Sequence, residues 1–318
     1  MKILANDGID NLGKAMLENA GFVVDTVHIP QEELIKRLGA YDVITVRSAT
    51  KVRKDLIDAC PNLKIIARGG VGMDNIDVEY ARSKGISVIN TPAASSISVA
   101  ELVFGHFFSG VRFLHDSHRK MPVEGNVNFG GLKKAYAQGT ELRGKTLGVV
   151  GFGRIGRETA KMGLGLGMRV VVSDTFEVDE KISLSFFGGQ SIELRVKQLP
   201  FEELLEESDF ISLHVPFLGS PLIGASEFAK MKKGAGIVNA SRGGIINEED
   251  LIANLDSGKI AFAGLDVFEN EPTPDNRLLT HPKISLSPHI GAATNEAQQR
   301  VGEELANLII HQLVVSQA

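Results

Sequence analysis

The chain is poor in the features that mark exported, metal-binding or nucleic-acid-binding proteins. It has a single cysteine, Cys60, among 318 residues, so no disulfide can form within the chain, and that suits a reducing compartment. Cys60 precedes Pro61 at an expected helix end, where a small helix-end residue is a simpler reading than a catalytic thiol. The N-terminus enters a strand at Lys2 to Ala5 without the charged, apolar and small-residue series of a signal peptide. The apolar runs fall far short of the roughly 20 residues of a membrane span. These absences lead to the expectation of a cytoplasmic protein with no membrane partner. Positive charge is not in excess either: 34 Lys and Arg against 39 Asp and Glu leave a net charge of −5, which argues against nucleic acid. An anionic ligand must then be held by a local basic cluster. His115 and His118 have the spacing of a metal pair but no supporting carboxylate and histidine motif, so a solvated helix end is expected and no metal. There is no short internal repeat and no low-complexity tail.

What is present is ordinary globular composition, 43% hydrophobic and 23% charged, at a length that points to two domains. From Met1 to about Thr91, short apolar runs at Ile3 to Ala5, Phe22 to Val27, Val43 to Val46, Leu63 to Ala67 and Ile86 to Ile89 alternate with helical stretches such as Gly13 to Asn19 and Glu32 to Leu38. Continuous apolar strands between helices imply an α/β fold with a parallel sheet covered on both faces. Thr91-Pro92 breaks this pattern. One long helix is expected over Ile97 to Leu114, with Val103, Phe107, Val111 and Leu114 on one face and Phe104, Phe108 and Phe113 widening it. A helix this apolar needs two partners, through a domain crossing, a subunit interface or both. His106 reads as a packed helix residue. Arg119 to Gln138 reads as a glycine-rich loop carrying the basic pairs Arg119-Lys120 and Lys133-Lys134.

A second doubly wound unit begins near Lys145. Its further strands are expected at Arg169 to Val172, Ser191 to Val196, Phe210 to His214, Gly236 to Ala240, Ala261 to Val267 and Ile284 to Ser287, and a last helix at Asn295 to Leu313. The opening of this unit carries the strongest signal. After the strand Lys145 to Val150 comes Gly151-Phe-Gly153-Arg154-Ile155-Gly156, then a helical run, a second apolar run and a lone carboxylate, Asp174. In such a turn the first glycine makes the bend, the second admits a pyrophosphate and the third lets helix and strand pack closely. The helix N-terminus offers unpaired N–H groups to the phosphates. Asp174 lies 23 positions beyond Gly151, near the roughly 20 expected of an acid that bonds the ribose 2′-hydroxyl. A carboxylate there repels a 2′-phosphate, so the cofactor reads as NAD rather than NADP.

Ligands of open parallel sheets bind beyond the carboxyl ends of the strands, and that rule filters the remaining candidates. Gly151 and Asp174 follow their strands, His214-Val215-Pro216 ends a third, Ser241-Arg242-Gly243-Gly244 follows Ala240 and His289 follows Ser287, so that these, with the acids after Asp266, share one rim. NAD contacts are expected from Gly151, Gly153, Arg154, Ile155, Gly156, Asp174, His214, Val215, Pro216, Ala240, Ser241, Asp266 and Gly291. His281 precedes its strand and belongs on the opposite rim. Hydride transfer needs few protein groups, because the cofactor carries the redox chemistry. An arginine fork can clamp a substrate carboxylate, and a histidine can take the hydroxyl proton. A carboxylate beside that histidine favours its protonated form and orients it. Arg242, His289 and either Glu269 or Glu271 supply this set.

The segments Gly151 to Gly156, Asn239-Ala-Ser-Arg-Gly-Gly244, Gly264-Leu-Asp-Val-Phe-Glu-Asn-Glu-Pro272 and Ser287-Pro-His-Ile-Gly-Ala-Ala-Thr294 together resemble the D-isomer-specific 2-hydroxyacid dehydrogenases, in order over nearly the whole chain. The resemblance implies that Arg242 orients the substrate, Glu271 partners the histidine and His289 is the general acid/base. It implies a flavodoxin-like substrate domain from residues 1–92 and 291–318, and a Rossmann NAD-binding domain from 93–290. In the latter, 93–119 is a crossing helix and possible dimer interface. Val46-Arg-Ser-Ala-Thr-Lys-Val52, Arg68-Gly-Gly-Val-Gly-Met-Asp-Asn75, Gly139 to Thr146 and Gly291 to Gln298 are similar to the phosphoglycerate dehydrogenase branch of the family. That likeness implies a phosphorylated 2-hydroxy acid, 3-phospho-D-glycerate, oxidised by NAD at the entry to serine synthesis; the alternatives are the same chemistry on glycerate, D-lactate or erythronate 4-phosphate, and an NAD-sensing regulator without catalysis. Arg47 and Arg68 would hold the phosphate, with Gly69, Gly70, Val71 and Gly72 near the carboxylate and Lys133 or Lys134 reaching in from the partner of a homodimer. Longer members of the branch carry a C-terminal serine-sensing ACT domain, whereas this chain stops at Ala318, so serine control through that domain is expected to be absent. The segment Glu177 to Gln198 is longer than the pattern and follows the adenosine-binding strand.

Overall fold

Five short aliphatic strands, β1 (Lys2–Ala5), β2 (Val23–Asp25), β3 (Val43–Val46), β4 (Ile65–Arg68) and β5 (Ser87–Asn90), pair in parallel in the order β2-β1-β3-β4-β5. This is the flavodoxin-like order, which reverses direction between β1 and β3. Successive residues point to opposite faces, and both faces are dry. Leu4, Ile44 and Ile66 pack with Leu34 and Leu56 on one side. Ile3, Val43 and Ile65 pack on the other with Leu17 and with Leu305 and Ile309 of the last helix, Asn295–Val315. Each fully buried aliphatic side chain stabilises the fold by about 1.5–3 kcal/mol. The computed structural model describes residues 1–315.

A second sheet is built from β6 (Thr146–Val150), β7 (Arg169–Ser173), β10 (Lys197–Gln198), β11 (Phe210–Leu213), β12 (Ala235–Asn239), β13 (Ile260–Leu265) and β14 (Ile284–Leu286). Its order, β10-β7-β6-β11-β12-β13-β14, is the Rossmann arrangement with one further strand. All its pairings are parallel. One face packs with Leu204, Phe228 and Leu251. On the other, Phe104 and Phe107 of the helix Ser96–Val111 enter a core with Leu147, Val149, Phe210 and Phe262. Chain contacts group Met1–Ser96 with the segment from Ala292 onward as one unit and Ile97–Gly291 as the other. These boundaries differ slightly from 92/93 and 290/291. Gly291 stays with the second unit, where its N–H is bound by Asp266.

Three local expectations need correction. The helix from Ile97 stops at Val111, whose carbonyl accepts the N–H of Thr140. Phe113 then turns left-handed at φ 57° with its ring against Tyr136, and a new helix, Leu114–Glu124, departs at 58°. Arg119 to Gln138 is therefore not a plain loop: this helix and Phe129–Ala135 occupy it, tied by Tyr136 Oη donating to Asp116 at 2.7 Å. Ser191 to Val196 is not a strand of the main sheet. β8 (Lys181–Ser185) and β9 (Ser191–Arg195) form a separate antiparallel hairpin, and the sheet position is taken by the two-residue β10. No single helix among the described residues is long and apolar enough to cross a membrane.

Candidate active site

The glycine turn after β6 has the shape its sequence implies. Gly151 sits at φ 88°, and a Cβ there would lie 2.5 Å from the carbonyl oxygen of His214. A Cβ on Gly156 would lie 2.1 Å from the Gly151 carbonyl, so strand and helix approach as closely as backbones allow. Gly153, in contrast, faces open space. It caps the helix Arg154–Gly165, whose first-turn N–H groups, with Arg154 and Ile155, border that space. Asp174 follows β7 and accepts the N–H of Phe152 at 2.7 Å, which pins the glycine turn to the acid. The open cradle, the helix terminus and the carboxylate fit a pyrophosphate and an adenosine ribose.

The next rim positions are shaped by groups that spacing alone did not single out. Asn239 is buried. Its Oδ1 accepts from the N–H and hydroxyl of Ser241, and its Nδ2 donates to the Arg242 carbonyl. It thereby folds the Ala240 to Arg242 corner. His214 is a correction to the expected NAD contacts at the level of its side chain. Its Nε2 lies 2.8 Å from Ser212 Oγ and its Nδ1 is enclosed, so only its backbone, with Val215 and Pro216, remains for a ligand. Burial pushes its imidazole down to about 3.

Glu271 is distinguished from Glu269 by geometry. Glu271 Oε2 lies 2.8 Å from His289 Nδ1 while Oε1 accepts the Phe268 N–H. Glu269 is exposed and its N–H donates to Glu248. Arg242 is brought alongside because a Cβ on Gly243 would lie 1.8 Å from the Phe268 carbonyl oxygen. The guanidinium donates from Nη1 to the Ser241 carbonyl at 2.6 Å. Asp266 is almost wholly buried and accepts the Ile290 and Gly291 N–H groups. An imidazole with one nitrogen held by a carboxylate can exchange a proton at the other.

Residues 104–291 match the NAD binding domain of the D-isomer specific 2-hydroxyacid dehydrogenases. The chain belongs to this family. The dehydrogenase is 43% identical over 318 residues to a hydroxypyruvate reductase of Thermotoga maritima, covering 98% of both chains. It is 41% identical over 308 residues to a D-3-phosphoglycerate dehydrogenase of Homo sapiens, covering 96% of this chain but only 55% of that one. Among solved structures it resembles a glyoxylate reductase from Paecilomyes thermophila, with a TM-score of 0.83 at 30% identity over 97% of this chain and 94% of that one. It is thus an NAD-dependent oxidoreductase of 2-hydroxy acids, and NAD, when bound, exchanges hydride with the substrate.

The remaining predicted residues of the dehydrogenase lie in two places. Arg47 and Arg68 follow or end the neighbouring strands β3 and β4, where Val46 pairs with Arg68. The Arg47 N–H donates to Asp7 and its carbonyl accepts from Asn75, and burial lowers the guanidinium's pKa. Arg68 folds over Gly70, where a Cβ would meet its Nη1 at 1.9 Å. Gly70 and Val71 are held by Thr91 and Asn90, and Gly69 donates to the Val46 carbonyl. Gly72 completes that turn. Lys133 and Lys134 are exposed on Phe129–Ala135. His281 is buried before β14 with Asp256, and Cys60 is buried, its thiol pushed up by burial. Among the described residues no group of His, Cys, Asp and Glu could hold a metal.

Proposed function

We propose that this dehydrogenase oxidises 3-phospho-D-glycerate to 3-phosphohydroxypyruvate with NAD, the entry step to serine. The observation that carries the reading is the pair of arginines, Arg47 and Arg68, on the carboxyl ends of adjacent strands, beside the backbone turn Gly69 to Gly72. Two guanidinium forks suit a phosphate dianion. In this reading Arg242 orients the carboxylate and carbonyl, and Glu271 holds Nδ1 of His289. Nε2 of His289 takes the C2 hydroxyl proton as hydride leaves C2. Reduction runs backwards from protonated His289, so the two directions should respond oppositely to pH.

A second reading is favoured by the full-length likeness to a hydroxypyruvate reductase. Hydroxypyruvate shares the carboxylate and ketone of the proposed product and lacks only its phosphate. The two readings separate on kcat/KM for hydroxypyruvate and 3-phosphohydroxypyruvate with NADH. The proposal expects preference for the phosphorylated ketone, and expects Arg47→Ala to remove that preference, at least tenfold, with little change for hydroxypyruvate. Equal losses on both ketones would refute the phosphate clamp. His289→Ala should lower turnover by about two to four orders of magnitude with either substrate. We further propose a homodimer whose subunit face is formed by the segment from Leu114 to Phe129, on which Leu114, Met121, Val123 and Phe129 are exposed. Lys133 or Lys134 would then serve the partner's substrate.

A further inference from the structure

A chain of side chains runs from the helix Ser96–Val111 to the loop that carries His289. His106 is 4% exposed. Its Nδ1 lies 2.9 Å from Ser285 Oγ and its Nε2 2.9 Å from Ser287 Oγ. The two serines are two positions apart and share one side of the β14 segment. Space for the ring comes from Gly264 of β13, the pairing partner of Ser285, where a Cβ would lie 2.5 Å from His106 Cβ. Ser285 Oγ also lies 3.1 Å from Ser109 Oγ. Beyond the ring, Ser287 Oγ donates to Asp266 Oδ1 at 2.6 Å.

Asp266 grips three consecutive N–H groups. Its backbone carbonyl accepts from His289 at 2.8 Å, Oδ1 from Ile290 at 2.9 Å and Oδ2 from Gly291 at 2.8 Å. His289 needs this hold, because its φ of 55° lies in the left-handed region that a side chain disfavours. The direction of the chain is determined by proton count. A hydroxyl has one proton, and Ser287 gives its proton to Asp266, so His106 can bond Ser287 only by donating from Nε2. Nδ1 of a neutral ring is then an acceptor facing Ser285 Oγ, and the Ser109–Ser285 hydrogen bond must run from Ser109 to Ser285 to leave that proton for Nδ1. Burial lowers the pKa of His106 against the opposing pull of Asp266, which favours the neutral ring, and the bond to Ser287 then selects its tautomer.

We propose that His106 is a positioning residue for His289: by donating to Ser287 it keeps the serine a donor to Asp266, and so holds the loop that presents the His289 imidazole. The inference rests on His289 being the general acid/base. Its test compares kcat, KM and NADH affinity for His106→Leu, His106→Gln, Ser287→Ala and the His106→Leu/Ser287→Ala double variant, with His289→Ala in parallel. The ketone used is hydroxypyruvate or its 3-phosphate, whichever turns over faster.

His106→Leu and Ser287→Ala should each lower kcat about tenfold while KM and NADH affinity stay within about twofold, a loss of orientation without loss of binding. The double variant should be no worse than either single one, because both break one chain. His106→Gln keeps an N–H donor and should recover most of the rate. Wild-type kcat in Ser287→Ala, multiplicative losses in the double variant, or a His106→Gln rate no better than that of His106→Leu would overturn the proposal. Should His106→Leu fail to fold, Ser287→Ala alone decides: tenfold lower kcat at unchanged KM supports the relay, and unchanged kcat refutes it. Near-normal turnover in His289→Ala would instead remove the assignment on which the inference rests.

Discussion

Ser212 Oγ and the enclosed ring nitrogens of His214 make a histidine that stays neutral in the fold. With its pKa moved from 6.5 to about 3 by burial, the folded chain refuses a proton that the unfolded chain accepts between those two values. Stability from this residue is therefore complete above about pH 6.5 and is lost as pH falls towards 3, by up to about 1.4 kcal/mol per pH unit. His106 is shifted the same way by burial. Urea midpoints measured from pH 7 to pH 4 should fall steadily, and His214→Asn should flatten that fall. An unchanged slope in the variant would show that the ring is not held neutral. The residue scale is also where sequence reading reached furthest and then stopped. Gly151, Asp174, Arg242 and His289 were legible because strand-end position and residue type identify them. The choice between Glu269 and Glu271 was not legible from spacing, because it depends on how the loop packs under Gly243. Asn239 and His106 act through partners that the chain order does not reveal, in His106's case 179 residues away.

At the scale of elements, the parallel strands were legible because both faces are apolar, and their ends were displaced by only a residue or two. The helix break at Phe113 was hidden because apolar residues continue on both sides of it. Its cause is the Thr140 N–H on the Val111 carbonyl, a contact from a distant loop. The Glu177 to Gln198 segment was read with one strand, Ser191 to Val196, although β8 and β9 alternate polar and apolar residues in the same way. β8 carries its apolar residues at Ile182 and Leu184, alternating with polar ones. Ile182 is buried with Val178 and Leu184 against the face that Ala160 and Val172 share, so the hairpin root belongs to the core. The tip is different: Phe187 is fully exposed. Ile182→Ala should cost about 2–4 kcal/mol, read as a lower urea midpoint, whereas Phe187→Ser should stay within about 0.5 kcal/mol of the parent. Equal effects would mean that the hairpin packs as a whole or not at all.

At the scale of the whole molecule, both sheets protect their apolar strands, yet the second unit leaves several large apolar side chains uncovered. Val123 is 75% exposed, Val127 81% and Phe129 61%, close in sequence and joined to Leu114 and Met121 of the same helix pair. Isolated exposed apolar residues are common, but several along one segment fit the subunit face proposed above. The sequence places the expected subunit contact at Ile97 to Leu114, where Ile97 and Phe108 are exposed, and the larger exposed apolar residues follow the helix break. A Phe129→Asp variant places a charge in that face and should elute with half the mass of the parent in light-scattering chromatography. The same variant tests what the partner contributes. If Lys133 or Lys134 reaches the partner's substrate, the monomer should keep its activity on hydroxypyruvate but lose several-fold in kcat/KM on 3-phosphohydroxypyruvate, as expected for removal of one charge-assisted contact. A monomer with undiminished preference for the phosphorylated ketone would leave Arg47 and Arg68 as a clamp complete within one chain.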